Sequence, residues 1–196
     1  PALAERADRE LPTNVESDRM HYDEPKQTTV FSGRVVLTKG SLMIRGDEMV
    51  LRQVADNQQL ATATGKPATF RQKRDGPGDQ YVNGTGLTID YDSRHEKMVL
   101  TGSAVMTRTE CGRTMDQVTG AKIVYDGLTE TFTVDGKPGA GQSPSPSGRV
   151  RLTIQPRPDG KSSNAPAPCP GGEPARLQPD TGIAEPRPEV PVVPGA

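Results

Sequence analysis

The sequence predicts an all-β fold, and three observations support this prediction. Short runs of residues alternate between apolar and polar side chains, glycine and proline are abundant, and glycine-containing phrases recur along the chain. Gly and Pro contribute 21 and 19 of the 196 residues, about a fifth of the chain against about 12% in average proteins. Because only 32% of the residues are hydrophobic and Trp is absent, a thin sheet with many turns is favoured over packed helices.

The alternation has a period of two residues. The segment Arg149-Val150-Arg151-Leu152-Thr153-Ile154-Gln155 alternates polar with aliphatic side chains throughout, and residues 121–125 and 131–135 do the same. Successive side chains of a strand point to opposite faces of its sheet, so each run has one apolar and one polar face. Helical spacing of three and four residues fits none of these runs.

Two phrases recur along the body of the chain. The first, an apolar residue, a short residue and a glycine, places Gly33, Gly65, Gly102 and Gly136 at intervals of 32, 37 and 34 residues. The second, a turn former followed by an apolar run, is found at residues 15–20, 44–49, 82–87 and 118–123. A fixed period of roughly 20–50 residues indicates stacked repeating units. Glycine within a strand marks a kink, so we expect short repeated strands in a sheet folded into an open half-pipe.

Composition divides the chain into three parts. We expect a flexible N-terminus over 1–11, a β domain over 12–155 and a disordered tail over 156–196. The tail holds eleven prolines and no aromatic residue, so it cannot bury enough apolar surface to offset its ordering entropy. Within the β domain, residues 136–148 are rich in Gly, Pro and Ser, and we expect a flexible loop there before one final strand.

Neither a targeting segment nor the two cysteines determine the cellular compartment of the protein. No stretch approaches the ~20 apolar residues that a membrane-spanning helix needs. The chain begins Pro1-Ala2-Leu3 without a basic and then apolar leader, so we expect a mature or trimmed chain whose signal peptide has been removed. Cys111 lies in a predicted hairpin turn and Cys169 in the tail. We expect the two to be unpaired, since a disordered tail has no fixed approach to a turn, with a disulfide as the alternative.

No catalytic, metal, cofactor or nucleic-acid site is predicted. The net charge is −1 and both signs are interspersed, without the basic patch of a nucleic-acid-binding domain. Asp90 and Asp92 flank Tyr91 on a polar face where nothing else converges, unlike the carboxylate pair of a glycosidase. His21 and His95 stand alone near turns, without the spacing of metal ligands. No nucleophile elbow or phosphate-binding loop occurs.

Strand parity assigns a set of apolar side chains to one inner face. If the sheet closes over them they form a sealed core, whereas an open sheet would make them the lining of a groove for hydrocarbon. The residues alone leave both interpretations open. The inner-face set comprises Val15, Phe31, Val35, Leu37, Leu42, Ile44, Phe70, Leu87, Ile89, Tyr91, Met98, Leu100, Ile123, Tyr125, Phe132, Val134, Leu152 and Ile154.

Basic side chains are scattered over the predicted outer face and rim. We interpret them as solvated surface charges, with contact to phosphate groups of a ligand as the alternative, because arginine recognises phosphate well. These residues are Arg34, Arg45, Arg71, Lys73, Arg149 and Arg151.

Several phrases, in this order and spacing, resemble a known family. Val15-Glu16-Ser17-Asp18, residues 29–40 and residues 46–51 are similar to the opening of the periplasmic lipopolysaccharide-transport proteins of the LptA/OstA-like family. Gly65-Lys66-Pro67-Ala68-Thr69-Phe70 matches a phrase typical of that family, and residues 99–104 continue it. The resemblance runs from about Leu11 to Ile154 and leaves out the proline-rich tail.

The resemblance implies a twisted antiparallel β-jellyroll, periplasmic and without enzymatic activity, whose inner groove holds the acyl chains of lipopolysaccharide. It also implies end-to-end stacking into a bridge between the two membranes. An inner-membrane LptC-like component would meet the N-terminal edge, and an outer-membrane LptD-like component would meet the C-terminal edge. It favours the groove over the sealed core.

The two chain-terminal strands are the predicted interaction edges. An open sheet leaves unpaired N–H and C=O groups on its outermost strands, which invite a further strand. We expect these edges at Thr13, Val15 and Ser17 and at Val150, Leu152 and Ile154, with self-association from head to tail. Two other functions stay open: a structural or adhesive β-solenoid module with a sealed core, and a β-helix polysaccharide hydrolase.

Overall fold

Every regular element of the described chain is a β-strand, which confirms the predicted all-β class. The computed structural model describes residues 11–54, 58–74, 79–137 and 148–156. Within them no helix is long and apolar enough to cross a membrane. The strands are β1 (Asn14–Glu16), β2 (Arg19–Asp23), β3 (Thr28–Lys39), β4 (Leu42–Gln53), β5 (Gln59–Lys73), β6 (Gln80–Asp92), β7 (Lys97–Glu110), β8 (Arg113–Asp126), β9 (Thr131–Asp135) and β10 (Arg151–Ile154).

The strands form one antiparallel sheet in which sequence neighbours pair. The hydrogen-bonded order is β1-β3-β4-β5-β6-β7-β8-β10, while β2 also pairs with β3 and β9 also pairs with β8. The six strands from β3 to β8 are 12–15 residues long, longer than the short strands expected from the sequence.

Each long strand is interrupted near its middle by a change in register. The pairing shifts between Ser32 and Val35 on β3, and corresponding shifts occur in each following ladder as far as β8. Extra residues at such bulges bend a strand and strengthen its twist. A glycine lies at every one of these positions, and we call the line through them the crease. Its glycines are Gly33, Gly46, Gly65, Gly86, Gly102 and Gly120.

Two of the crease glycines have a conformational reason to be glycine. Gly33 and Gly102 have φ angles of +82° and +81°, in the left-handed region that side chains with a Cβ rarely adopt. Arg34 and Ser103, the residues that follow them, also have positive φ angles of 48° and 50°. The recurring glycines Gly33, Gly65 and Gly102 therefore lie at bends in long strands, as the expected half-pipe requires.

The crease divides the sheet into two leaves that face each other. Pairing on one side of it defines the first leaf, which contains residues 14–16, 35–39, 42–45, 68–73, 80–85, 104–110, 113–120 and 151–154. Pairing on the other side defines the second leaf, which contains residues 19–23, 28–32, 48–53, 59–64, 88–92, 97–101, 122–126 and 131–135.

The outermost strands are the two halves of bent strands that the chain interrupts at the crease. β1 and β2 both pair with β3, one in each leaf, and Ser17 and Asp18 join them. β9 and β10 pair with the two halves of β8. Gly136, the last recurring glycine, follows β9, and a Cβ there would lie 2.9 Å from the backbone of Arg149. The chain thus leaves the sheet and returns to it at the crease.

The predicted turn at Cys111 is confirmed, whereas its expected free thiol is not. Glu110 pairs with Arg113, and Cys111 and Gly112 between them have φ angles of 49° and 75°. Two residues with positive φ form the type I′ turn that matches the twist of a hairpin. Cys111 is disulfide-bonded, so the interpretation of an unpaired residue is wrong. Cys169 lies outside the described residues.

The other predicted boundaries fall largely outside the described chain. Residues 1–10, 138–147 and 157–196 are not described, so the flexible N-terminus (1–11), loop (136–148) and tail (156–196) stay predictions. The strands from Asn14 to Ile154 all lie within the predicted β domain.

Candidate functional site

The interior between the leaves is lined mostly by apolar side chains. Strand parity placed most of them correctly, although contact with a lipid stays a prediction. Val15, Phe132 and Val134 are partly buried and pack against this core. The members of the inner-face set that are buried in it are Phe31, Val35, Leu37, Leu42, Ile44, Phe70, Ile89, Tyr91, Met98, Leu100, Ile123 and Tyr125.

Leu87 was assigned to the inner face, and this assignment is wrong. Its side chain is 45% exposed. Leu87 lies at the crease, where the register of β6 shifts between Thr85 and Thr88. The buried positions of β6 change phase across the crease, from Val82 and Gly84 to Ile89 and Tyr91, so parity counted back from Ile89 fails there. The side chain covers Gly102 instead, where an added Cβ would lie 2.9 Å from atoms of Leu87.

Leu152 and Ile154 belong to the inner face but are not buried. They lie opposite Val118 and Asp116, and directly paired residues share a face of the sheet. Their exposed fractions are 55% and 71%, because β10 is the outermost strand of the first leaf and nothing covers it within the described chain.

Parity reasoning missed two inner-face residues at the opposite end. Met20 and Tyr22 on β2 lie opposite Phe31 and Thr29 and are 64% and 48% exposed. The alternation in Arg19-Met20-His21-Tyr22 is a signal that could have found them. The buried residues that were also missed are Met49, Ala61, Ala63, Ala68, Val82, Ala104, Met106, Val118 and Ala121.

Aromatic and aliphatic side chains connect the two leaves across the interior. The ring of Phe70 on the first leaf stacks on that of Tyr125 on the second, with centroids 6.2 Å apart. Gly84 lies opposite Phe70 on the neighbouring strand. A Cβ at Gly84 would lie 2.7 Å from Phe70 Cδ1 and 2.6 Å from Leu100 Cδ2. The absence of a side chain at Gly84 therefore makes room for this packing.

Two polar contacts join the rims, which are the turns at the ends of the leaves away from the crease. Thr13, just before β1, donates a hydrogen bond from Oγ1 to Oε1 of Gln59 over 2.7 Å. Arg74, just after β5, forms an ion pair with Glu130, in the turn before β9. The Arg74 and Glu130 side chains are 21% and 27% exposed, so this pair is largely withdrawn from solvent.

These contacts reveal a displacement between the leaves. Phe70 on β5 contacts Tyr125 on β8, and Arg74, just after β5, contacts Glu130 in the turn that follows β8. Thr13, just before β1, contacts Gln59 on β5. In sheet order each contact joins strands three places apart. Toward the rims, the first leaf therefore extends beyond the second at the C-terminal end, and the second extends beyond the first at the N-terminal end. The exposed inner-face residues Leu152 and Met20 lie at these two ends.

An ion pair between Arg108 and Asp116 lies on the inner face near the C-terminal end. Arg108 donates hydrogen bonds from Nε to Oδ1 and Oδ2 of Asp116 over 2.9 and 2.8 Å, and its Nη2 forms an ion pair with the same carboxylate. Hydrogen bonding to Asp116 raises the pKa of Arg108 despite partial burial, and the charge of Glu130 adds to this effect.

Asp92 and His95 stabilise a turn on the outer face, whereas Asp90 accepts a hydrogen bond from Thr62 Oγ1 on the neighbouring strand over 2.7 Å. Asp92 accepts hydrogen bonds from Gln58 Nε2 (2.9 Å), from the backbone N–H of Arg94 (2.9 Å) and from His95 Nδ1 (2.8 Å). Burial raises the pKa of Asp92, but these hydrogen bonds together lower it below its ordinary value. His95, which the sequence places near a turn, is at the surface with its side chain 62% exposed. The described residues include no cluster that could hold a metal ion.

Arg34 and Arg71, among the basic residues predicted for the outer face, contact other side chains of the described chain. Arg34 forms an ion pair with Asp18 beside the crease. Hydrogen bonds from Arg34 lower the pKa of Asp18, and the same bonds raise that of Arg34. The guanidinium of Arg71 lies 3.9 Å from the ring centroid of Tyr81. These contacts fit an outer face rather than a ligand site.

The unpaired edges of the sheet include the predicted strands and two more. β1 and β10 end the first leaf, as expected from Thr13, Val15 and Ser17 and from Val150, Leu152 and Ile154. β2 and β9 end the second leaf and were not anticipated as edges.

Comparison with known proteins identifies the family. Residues 14–131 match the model of the LptA/(LptD N-terminal domain) LPS transport protein family. The chain belongs to this family. It is 33% identical over 157 residues to the lipopolysaccharide export system protein LptH of Pseudomonas aeruginosa, a match that covers 80% of this chain and 86% of LptH. It is 29% identical over 139 residues to LptA of Escherichia coli K12, covering 70% and 73%.

A solved structure supports the same assignment. The crystal structure of LptH, described as the LptA-homologous periplasmic component of the lipopolysaccharide transport device of Pseudomonas aeruginosa, matches with a TM-score of 0.66 at 31% identity. The match covers 76% of this chain and 99% of LptH. The resemblance read from the sequence is confirmed, and so is the prediction that this member of a transport family is not an enzyme.

Proposed function

We propose that this protein is a periplasmic carrier that binds the acyl chains of lipopolysaccharide between its two leaves and passes the lipid from the inner to the outer membrane. The observation that carries the proposal is an apolar interior whose inner face stays exposed at both ends, at Met20 and Tyr22 and at Leu152 and Ile154. Each CH₂ group transferred from water to such an interior contributes about 0.8 kcal/mol. Several acyl chains, even partly buried, would therefore bind strongly.

The displaced leaves favour end-to-end stacking of copies. The first leaf extends at the C-terminal end and the second at the N-terminal end, so the exposed inner face of one copy is complementary to that of the next. Strand addition between β10 and the N-terminal edge would be heterologous and would produce an open filament. In the same arrangement, an LptC-like partner binds the N-terminal edge and an LptD-like partner the C-terminal edge.

A sealed core is the alternative that one observation favours. Leu37, Ile44, Ile89, Leu100 and Ile123 are fully buried without any ligand, as in an ordinary hydrophobic core. Under the proposed function the leaves must separate to admit acyl chains, whereas in a structural module they stay closed.

Photo-crosslinking to lipopolysaccharide separates these functions. A benzophenone amino acid replaces Tyr91, in the interior, or Leu152, at the C-terminal end, and the purified variants are irradiated with lipopolysaccharide in detergent-free solution. The matched controls are Tyr81, which parity places on the outer face of the same strand as Tyr91, and Thr153, the outer-face neighbour of Leu152. We expect adducts at Tyr91 and Leu152 only.

Equal labelling of inner-face and outer-face positions, or no labelling, would overturn the proposal. Labelling at Leu152 without labelling at Tyr91 would contradict an interior that admits acyl chains and would favour the sealed core.

A further inference from the structure

The apolar interior contains one group of polar side chains near its C-terminal end, which we call the inner polar cluster: Gln72, Arg74, Arg108, Asp116 and Glu130. Gln72 pairs with Val82, Val82 with Arg108, and Arg108 with Asp116 across four adjacent strands. Directly paired residues share a face, and Val82 is 1% exposed, so this row belongs to the inner face.

The charges of the cluster are already balanced. Arg108 is paired with Asp116, and Arg74 is paired with Glu130. Arg74 also donates from Nη1 to Oε1 of Gln80 over 3.3 Å. Because each guanidinium has a carboxylate partner, an anionic ligand such as a phosphate would meet two carboxylates as well as two arginines. The cluster is therefore poorly suited to bind an anion.

Two hydrogen-bond acceptors of the cluster remain unsatisfied. Oε1 of Gln72 and Oε1 of Glu130 are buried and have no hydrogen-bond partner among the described residues. Gln72 is only 8% exposed, so its amide is almost entirely withdrawn from solvent. A buried acceptor without a donor is costly and is rare in folded proteins. Both atoms require a donor, which points to a ligand that carries hydroxyl or amide N–H groups.

We propose that the inner polar cluster binds a hydroxyl group on an acyl chain, so that the interior selects hydroxylated over plain hydrocarbon chains. This inference rests on the proposed acyl-binding function and adds a specificity to it. Phe70 lies two residues before Gln72 on the same face of β5 and supplies apolar contact beside the polar group. A hydroxyl near the polar end of an acyl chain satisfies Oε1 of Gln72 while the rest of the chain stays in hydrocarbon surroundings.

The test compares two probes that differ by one hydroxyl group: methyl 3-hydroxytetradecanoate and methyl tetradecanoate. Neither ester carries a charge, and only the first has a donor. Both are titrated against the full chain with a fluorescent acyl probe bound, and displacement gives the two dissociation constants. We expect the hydroxylated ester to bind about tenfold more tightly, since satisfying a buried unpaired acceptor is worth on the order of one decade in affinity.

Gln72→Met removes the acceptor at nearly constant volume and should equalise the two dissociation constants by weakening only the hydroxylated ester. Gln117→Met is the matched control, because Gln117 is exposed on the outer face of β8. It should leave the preference unchanged. Circular dichroism and melting temperature establish that both variants fold.

Equal affinity of wild type for the two esters would overturn this inference and leave the acyl-binding interior intact, even if Gln72→Met failed to fold. A preference that persists in a folded Gln72→Met variant would also overturn it, because the hydroxyl would then bind elsewhere. Failure of both esters to displace the acyl probe would count against the proposed function itself.

Discussion

Phe70 and Tyr125 stack with an angle of 23° between their rings although their strands are separated by two others in the sheet. The contact is possible only because the crease turns the second leaf back over the first. Gly84 is part of the same arrangement, since its missing side chain leaves space for the Phe70 ring and for Leu100.

Gly84→Ala should therefore destabilise the fold. Its Cβ would overlap Phe70 and Leu100, and overpacking a close-packed core costs about 1–3 kcal/mol. Urea unfolding measures the change in the free energy of unfolding. The control is Thr85→Ala, at the next position on the outer face, where less than about 1 kcal/mol is expected. Equal effects of the two substitutions would show that the packing across the leaves is not tight.

An acidic residue at the open C-terminal end should weaken lipid binding without unfolding the protein. Leu152→Asp places a charge on the exposed part of the inner face, where it would lie against hydrocarbon if acyl chains bind there. We expect lipopolysaccharide affinity to fall about tenfold or more, since losing the leucine contact alone removes roughly 1.5 kcal/mol. Thr153→Asp adds the same charge to the outer face of the same strand and should bind as wild type does.

Proline on β10 tests the edge that is proposed for stacking. Gln155 donates its N–H to the carbonyl of Met115, so in this antiparallel pairing the N–H groups of Leu152 and Ile154 point away from β8. Leu152→Pro or Ile154→Pro removes a donor of the free edge and should abolish oligomers. The monomer should still bind lipid, more weakly in Leu152→Pro because the leucine contact is lost. Light scattering over a dilution series measures assembly. Persistent assembly of the proline variants, or a monomeric wild type at high concentration, would contradict stacking through β10.

The alternation of side chains predicted the interior well because it is a local property of a strand. Ile123 and Tyr125 on β8 are buried as expected. Leu87 was misassigned because the alternation of buried residues on β6 changes phase at the crease, and no pattern of apolar residues marks that point. Met20 was missed because a short edge strand beside a turn carries too few residues for a clear period.

The relation between the leaves could not be predicted from the sequence. The contact between Thr13 and Gln59 joins residues 46 positions apart and depends on the accumulated twist of several strands. The same is true of the unsatisfied acceptor of Gln72. In the sequence, Gln72 looks like an ordinary polar residue of a strand, and its burial becomes evident only when its neighbours in three dimensions are known.

The proline-rich tail should contribute little to the stability of the sheet. The last strand of the described residues ends at Ile154, and the tail composition lacks apolar anchors. Because Cys111 is disulfide-bonded, the comparison is made between full-length Cys111→Ser and the same variant without residues 156–196. We expect melting temperatures within about 2 °C of each other. A decrease of many degrees would show that the tail packs against the body.

The lowered pKa of Asp92 predicts an acid-dependent contribution to stability. Its pKa in the fold lies below the unfolded value of 3.8, so the carboxylate stabilises the fold fully above about pH 5 and loses that effect as the pH falls through the folded pKa. Asp92→Ala should lower the free energy of unfolding by about 1–2 kcal/mol at pH 7, and the difference should shrink below pH 4.

Asp90→Ala serves as the control for this prediction, since Asp90 is exposed and accepts a hydrogen bond from Thr62 on the same outer face. At pH 7, Asp90→Ala should lower the free energy of unfolding by less than Asp92→Ala does. A difference between wild type and Asp92→Ala that stays constant from pH 7 to pH 3 would contradict the assigned role of the Asp92 carboxylate.

The line of glycines has a mechanical consequence. The register shifts between Ser32 and Val35 and at the corresponding places in the other ladders interrupt the backbone pairing along this line. Each leaf is thus a continuous hydrogen-bonded ladder, and the two leaves are joined by a row of bends in the backbone. The angle between the leaves is set by side-chain packing and by rim contacts such as Arg74 with Glu130. A change in the width of the interior therefore breaks side-chain contacts between the leaves, such as those at the rim, and leaves the backbone hydrogen bonds within each leaf intact.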